Sequence, residues 1–157
     1  MGAITLQFMS DHSLGSTLIK WYDHGEFSHV DSVMPDGSLL GARDDTVYGI
    51  KPGVQIRPLS YSQQGQRVKR ISLPCSDETE RAYYKLLEIH LGRSYNRLAI
   101  LAFFFGKNWS GKGTWFCSQL VVEVLFQCGF LPHKPSTPAH KIAPDDLLLI
   151  CSMFVDV

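Results

Sequence analysis

The sequence predicts an α+β domain, a small and mostly antiparallel sheet with helices packed around it. Three observations carry that expectation. Residues 3–9 place Ile4, Leu6 and Phe8 on one face and Thr5, Gln7 and Met9 on the other, the period of a half-buried strand. Residues 26–34 and 38–43 are β-like in period and flank Pro35-Asp36-Gly37, where proline fixes φ and glycine supplies the positive φ of a turn. Cys117, Leu120, Val121, Val124 and Cys128 form one stripe of a helix that Gly129 stops.

The remaining elements follow in order. Leu14, Leu18 and Tyr22, widened by Ile19 and Trp21, predict a short helix over residues 14–23 ending before Gly25. Residues 44–53 are polar and glycine-bearing and read as a loop, and residues 54–58 and 67–73 as two further strands. Asp77 with Glu80 has the form of a capping box, and Ala82, Tyr83, Leu86, Leu87 and Ile89 carry a helix up to Gly92. Residues 97–105 are continuously apolar and fit either a buried helix or a strand, and the glycine-rich GKNWSGKGT that follows is a flexible loop. Three prolines make residues 131–143 a loop. Pro144-Asp145-Asp146 can open a helical turn, and residues 147–155 read as a closing buried strand.

At 157 residues, 45% hydrophobic and 19% charged, the chain is expected to form a single domain spanning residues 1–157. Fifteen basic residues balance fifteen acidic ones with no long run of either sign, which argues against nucleic acid or an anionic membrane as partner. The longest apolar stretch, residues 98–105, is far short of the roughly 20 residues of a spanning helix. MGAITLQF lacks a basic leader region, and Leu6 stands where myristoylation needs Ser or Thr, so a soluble cytoplasmic product is expected. The four cysteines, Cys75, Cys117, Cys128 and Cys151, are scattered without a CxxC pair and read as free thiols.

Chemistry must come from local arrangement. Cys117 opens a helix, whose first-turn N–H groups and partial positive charge stabilise a thiolate and can receive an oxyanion. Periodicity alone leaves it open between nucleophile and buried core thiol. His29 lies in FSHVDSV on one face with Phe27, Asp31 and Val33, placed to act as base with Asp31 as orienter, or simply as an edge-strand histidine. GKNWSGK fits a phosphate-binding loop, but Gly113 stands where the Mg²⁺-holding Ser or Thr belongs, and the roughly forty residues that follow are too few for a nucleotide-binding core. Cys128, His133, His140 and Cys151 are zinc-ligand types at spacings that match no compact knuckle. No metal or other cofactor is called for.

FSHVDSVMPDGSLLGA, a following Gly53-Val54 strand, WFCSQLVVEVLFQCGF with its cysteine 88 residues after the histidine, and then APDDLL together resemble the circularly permuted NlpC/P60 cysteine hydrolases. More narrowly, they resemble small phage and prophage proteins described as distant relatives of cell-wall hydrolases. The resemblance extends to ITLQF, LGSTLIKWY and SYNRLAILAFFFG and so covers nearly the whole chain. It implies a papain-like fold in which the histidine strand precedes the cysteine helix, with Cys117 as thiolate nucleophile and His29 as general base. The third polar residue of some permuted members falls at a Glu-Ala that matches Gly41-Ala42 here, leaving the orienter among Asp31, Asp44, Asp45 and a backbone carbonyl. Oxyanion stabilisation falls to the Cys117 N–H and the Ser118 side chain, while Tyr95 stands as a substrate-pocket or oxyanion donor or as a structural tyrosine.

The implied activity is amide hydrolysis in peptidoglycan peptides, on a peptide-like substrate. The same scaffold supports acyl transfer or deacylation of lipids and thioesters, and a third alternative is a non-catalytic phage or virion binding module. A wall substrate would be reached through lysis, a phage particle or a secretion machine. The sequence sets no oligomeric state.

Overall fold

The structure, a computed structural model, describes residues 1–10, 24–46, 49–62, 67–95 and 116–155. The expected helix at 14–23, the apolar run at 97–105 and the loop of the phosphate-binding motif lie outside the described residues. Within them the fold is α+β: five antiparallel strands and three helices. The strands are β1 (Gly2–Ser10), β2 (His29–Val33), β3 (Leu39–Arg43), β4 (Gly53–Arg57) and β5 (Arg67–Cys75), in the order β4-β3-β2-β1-β5. The helices are α1 (Asp77–Ile89), α2 (Cys117–Gln127) and α3 (Pro144–Ser152), with 3-10 turns at Leu59–Ser62 and Ala139–Lys141. None of these helices is long and apolar enough to cross a membrane.

Strand β1 carries the longest apolar alternation and takes an inner position, pairing with β5 over its full length and with β2 from Thr5↔Val33 to Met9↔His29. Strand β5 is an edge, which is why Pro74, lacking an N–H, fits within it opposite Ala3. Period-two alternation divides the sheet into unlike faces. Ile4, Leu6, Phe8, Val30, Leu40, Ala42, Val54 and Leu73 share one apolar core with Tyr83 and Leu87 of α1 and Leu120, Val121 and Val124 of α2. Gln7, Asp31, Arg43, Gln55 and Arg57 alternate with these along their strands, yet they too are buried. The middle of the sheet is thus buried on both faces, one of them polar, which marks that face as a place to look for chemistry.

The β2–β3 turn is as predicted, with Gly37 at φ 84° and Asp36 Oδ1 accepting the Ser38 N–H at 2.9 Å. Two expectations are corrected. The cap of α1 is Ser76, one residue before the Asp77/Glu80 pair: its Oγ accepts the Thr79 N–H at 3.1 Å. A hydroxyl with extended backbone outcompetes a carboxylate that is already helical. The closing segment is a helix, α3, and not a strand over 147–155. Proline at its first turn, the Asp146 carboxylate accepting the Ala143 N–H at 3.0 Å, and the burial of Leu147 and Cys151 one turn apart favour the helix over an apolar run that fits either form.

Candidate active site

Cys117 is the first residue of α2 and is buried, with 4% of its surface exposed. The residue before it, Phe116, is extended and offers no side-chain cap, so the first-turn amides of α2 are not taken by a capping side chain. Helix α2 packs against β2 and β3, which brings its amino terminus to the start of β2, where His29 is the first strand residue. The two side chains lie within interaction range of each other, and the Val30 N–H lies beside the cysteine sulfur, both favouring the thiolate. Val30 lies outside the β2–β3 ladder, which is short and pairs only Ser32 with Leu40 and Val33 with Leu39.

On its other side His29 presents Nε2 to Asp31 Oδ1 at 2.7 Å. Nδ1 is therefore the ring nitrogen left for the thiol. Of the candidate orienters, Asp31 is the one on the imidazole, and no backbone carbonyl is needed there. Asp45 is committed elsewhere, accepting from Arg57 at 2.9 and 3.1 Å and from the Tyr61 hydroxyl, and Asp44 is exposed. The structure also explains why position 41 carries no side chain. A Cβ on Gly41 would stand 2.0 Å from Asp31 Oδ1, so the carboxylate from β2 fills the space a β3 side chain would need.

Asp31 is 1% exposed, and its second oxygen, Oδ2, accepts from Arg43 Nη2 at 2.5 Å. Burial opposes its ionisation, but Arg43 and then His29 hold the carboxyl well below the usual carboxylate range. For His29, burial and Arg43 disfavour the charged ring. The Asp31 and Cys117 charges and the Asp31 hydrogen bond outweigh them and push it up to about 9. Burial likewise opposes the Cys117 thiolate, yet the His29 charge, its hydrogen bond and the Val30 N–H bring the thiol below its ordinary value. The other three thiols all move the opposite way, Cys151 up to about 12, each through burial. The opposite shifts of Cys117, downward, and His29, upward, both favour a thiolate beside an imidazolium.

Ser118 has a different role from the expected oxyanion donor. Its hydroxyl is fully buried and donates to Ile142 O at 2.6 Å, tying the first turn of α2 to the Ala139–Lys141 turn. Tyr95 is half-buried against the apolar core. Among the described residues, no cluster of three or more His, Cys, Asp or Glu side chains could hold a metal ion, and Cys128 and Cys151 are free thiols.

Arg43 is the neighbour of the candidate site that sequence reasoning missed. Strand alternation from Leu39 through Gly41 puts it on the face of Asp31, across a hairpin whose turn was readable. Asp145 was missed as well. Its carboxylate accepts the N–H groups of Glu26 at 3.2 Å and Phe27 at 2.9 Å, clamping the segment that leads into His29 to the amino terminus of α3.

No family model matches the chain, and no curated protein matches it. The fold is similar to that of the crystal structure of the metalloprotein yiiX from Escherichia coli O157:H7, DUF1105, with 20% identity, a TM-score of 0.57, and coverage of 84% of this chain and 67% of that one. At that identity the likeness is one of fold.

Proposed function

We propose that the chain is a cysteine-nucleophile hydrolase of the permuted NlpC/P60 type, cleaving amide bonds with Cys117 as nucleophile, His29 as acid and base, and Asp31 as orienter. The observation that carries this reading is the constellation itself: a cysteine at a helix amino terminus, interacting with a histidine whose Nε2 is held by a buried carboxylate. The order of histidine strand before cysteine helix agrees with the permuted arrangement.

In this mechanism the Cys117 thiolate attacks the amide carbonyl carbon, and first-turn N–H groups of α2 receive the oxyanion that forms. Collapse of the tetrahedral intermediate breaks the C–N bond, and the His29 imidazolium gives its Nδ1 proton to the departing amine. His29, now neutral, takes a proton from water as that water attacks the thioester, and the second collapse releases the acid and restores the thiolate–imidazolium pair. Asp31 remains ionised throughout and fixes the ring through Nε2.

Peptidoglycan peptides are the substrate class we favour, reached in the wall by delivery with a phage particle, a secretion machine or lysis. The test is incubation of the full chain with peptidoglycan peptide fragments and, in parallel, with acyl thioesters. New amine termini from the peptides, abolished by Cys117→Ala, are the expected result. Turnover of thioesters alone would move the assignment to acyl transfer, and turnover of neither, with Cys117 still reactive, would leave a binding module.

A further inference from the structure

We infer that Arg43 is a positioning residue, acting through Asp31 to hold the Cys117–His29 pair in its reactive geometry and charge state. The inference rests on reading Cys117 and His29 as that reactive pair. Each oxygen of the Asp31 carboxylate has one such partner, Oδ1 on His29 Nε2 and Oδ2 on Arg43 Nη2. Arg43 thereby fixes the rotation of the carboxylate, and the carboxylate fixes the imidazole plane.

Arg43 is itself held. Its guanidinium lies over the Tyr61 ring at 5.1 Å to the centroid, and Arg57 lies over the same ring at 4.4 Å. The Tyr61 hydroxyl and Arg57 both bond Asp45, which closes the network. Gly41, between Leu40 and Ala42 on β3, leaves the space through which Asp31 and Arg43 meet.

The charge balance makes Arg43 more than a spacer. Among the described residues, the charged groups around the pair are Asp31 on β2, Arg43 on β3, Asp45 after β3 and Arg57 on β4, with the Tyr61 phenol beside them and Arg70 of β5 one strand further away, donating to Gln7 Oε1 at 2.7 Å. Opposite Asp31 and His29, β1 presents the uncharged Gln7 and Met9, and the first turn of α2 has no acidic residue. Asp31 and Arg43 cancel, so the thiolate and imidazolium form beside a neutral couple. Without Arg43 the carboxylate is uncompensated; it disfavours the thiolate and favours protonated His29, so both limbs of the reactivity profile move to higher pH.

The experiment is the rate of iodoacetamide alkylation of Cys117 against pH, in the full chain and in Arg43→Gln and Arg43→Lys. For Arg43→Gln both limbs are expected to rise by about one pH unit, the lower end of the range for an unpaired charge beside a titrating group. Arg43→Lys is expected to restore most of that shift. A lower rate with unmoved limbs would assign Arg43 to packing alone and overturn the inference. A native chain whose Cys117 ionises like an ordinary thiol would instead overturn the reading of the pair, a separate failure. In the native chain, nitrogen-edited NMR should also show distinct, slowly exchanging Arg43 Nη protons. Averaged, rapidly exchanging ones would refute the fixed contact without any variant having to fold.

Discussion

Asp31 gathers the most consequence of any single side chain here. It is buried, it bonds the imidazole and a guanidinium, and it occupies the space that glycine leaves at position 41. Gly41→Ala should therefore displace the carboxylate and cut the alkylation rate of Cys117 at pH 7 by about tenfold or more, since a misplacement near 1 Å in a reacting constellation costs on that order. Circular dichroism would establish that the sheet survives, and an unchanged rate would show that Asp31 can turn without loss. Cys117, His29 and Asp31 were legible because each breaks a pattern: a cysteine at a helix start, and a histidine and aspartate two apart on a strand. Arg43 was not, because an arginine near a strand end reads as a solvated face until its hairpin partner is known. Ser118 misled because a hydroxyl beside a nucleophile suits an oxyanion hole, while the carbonyl it bonds lies 24 residues on, beyond local reading.

At the level of elements, three pieces must meet for the site to exist: the start of β2, the middle of β3 and the amino terminus of α2. Two tethers external to the chemistry bring them together, Ser118 to Ile142 O and Asp145 to the backbone before β2. Asp145→Ala should leave Cys117 in place while freeing the His29 segment. The expected outcome is a several-fold fall in alkylation rate, with a loss of about 1 kcal/mol or less in urea unfolding because the lost bonds are partly exposed. A rate equal to the native one would show that β2 is held by its ladder alone. That tether was hidden from the sequence because residues 147–155 fit a strand by apolarity alone. Once Pro144-Asp145-Asp146 is allowed to start a helix that continues, the apolar run supplies the buried side at Leu147 and Cys151. The sheet itself was readable where alternation was clean, in β1 and the β2–β3 hairpin, and the cap of α1 was misplaced by one residue because serine and acid stood side by side.

Across the whole molecule, two buried ionisations oppose each other in their dependence on pH. Asp31 is held below its ordinary value of 3.8, so its contribution is present above that pH and is lost as the pH falls through its folded value. His29 is raised from 6.5 to about 9, so its contribution is fully present below 6.5 and is lost as the pH rises through about 9. From these two groups, denaturant unfolding should show greatest stability between about pH 4 and 6.5, with Asp31→Asn flattening the acid side. An acid limb that persists unchanged in that variant would place the relevant carboxylate elsewhere. Hydrolysis, by contrast, calls for the thiolate and protonated His29 together, so its rate is expected to fall as the pH rises through about 9.

The Val30 amide, beside the cysteine sulfur where β2 and β3 part, turns part of the main chain into a gauge of the nucleophile. Its hydrogen exchange should be slow while the sulfur carries charge and quicken when the sulfur is alkylated or replaced in Cys117→Ala, with the Leu39 and Leu40 amides unmoved. One backbone proton would then report, without substrate, whether the molecule is armed.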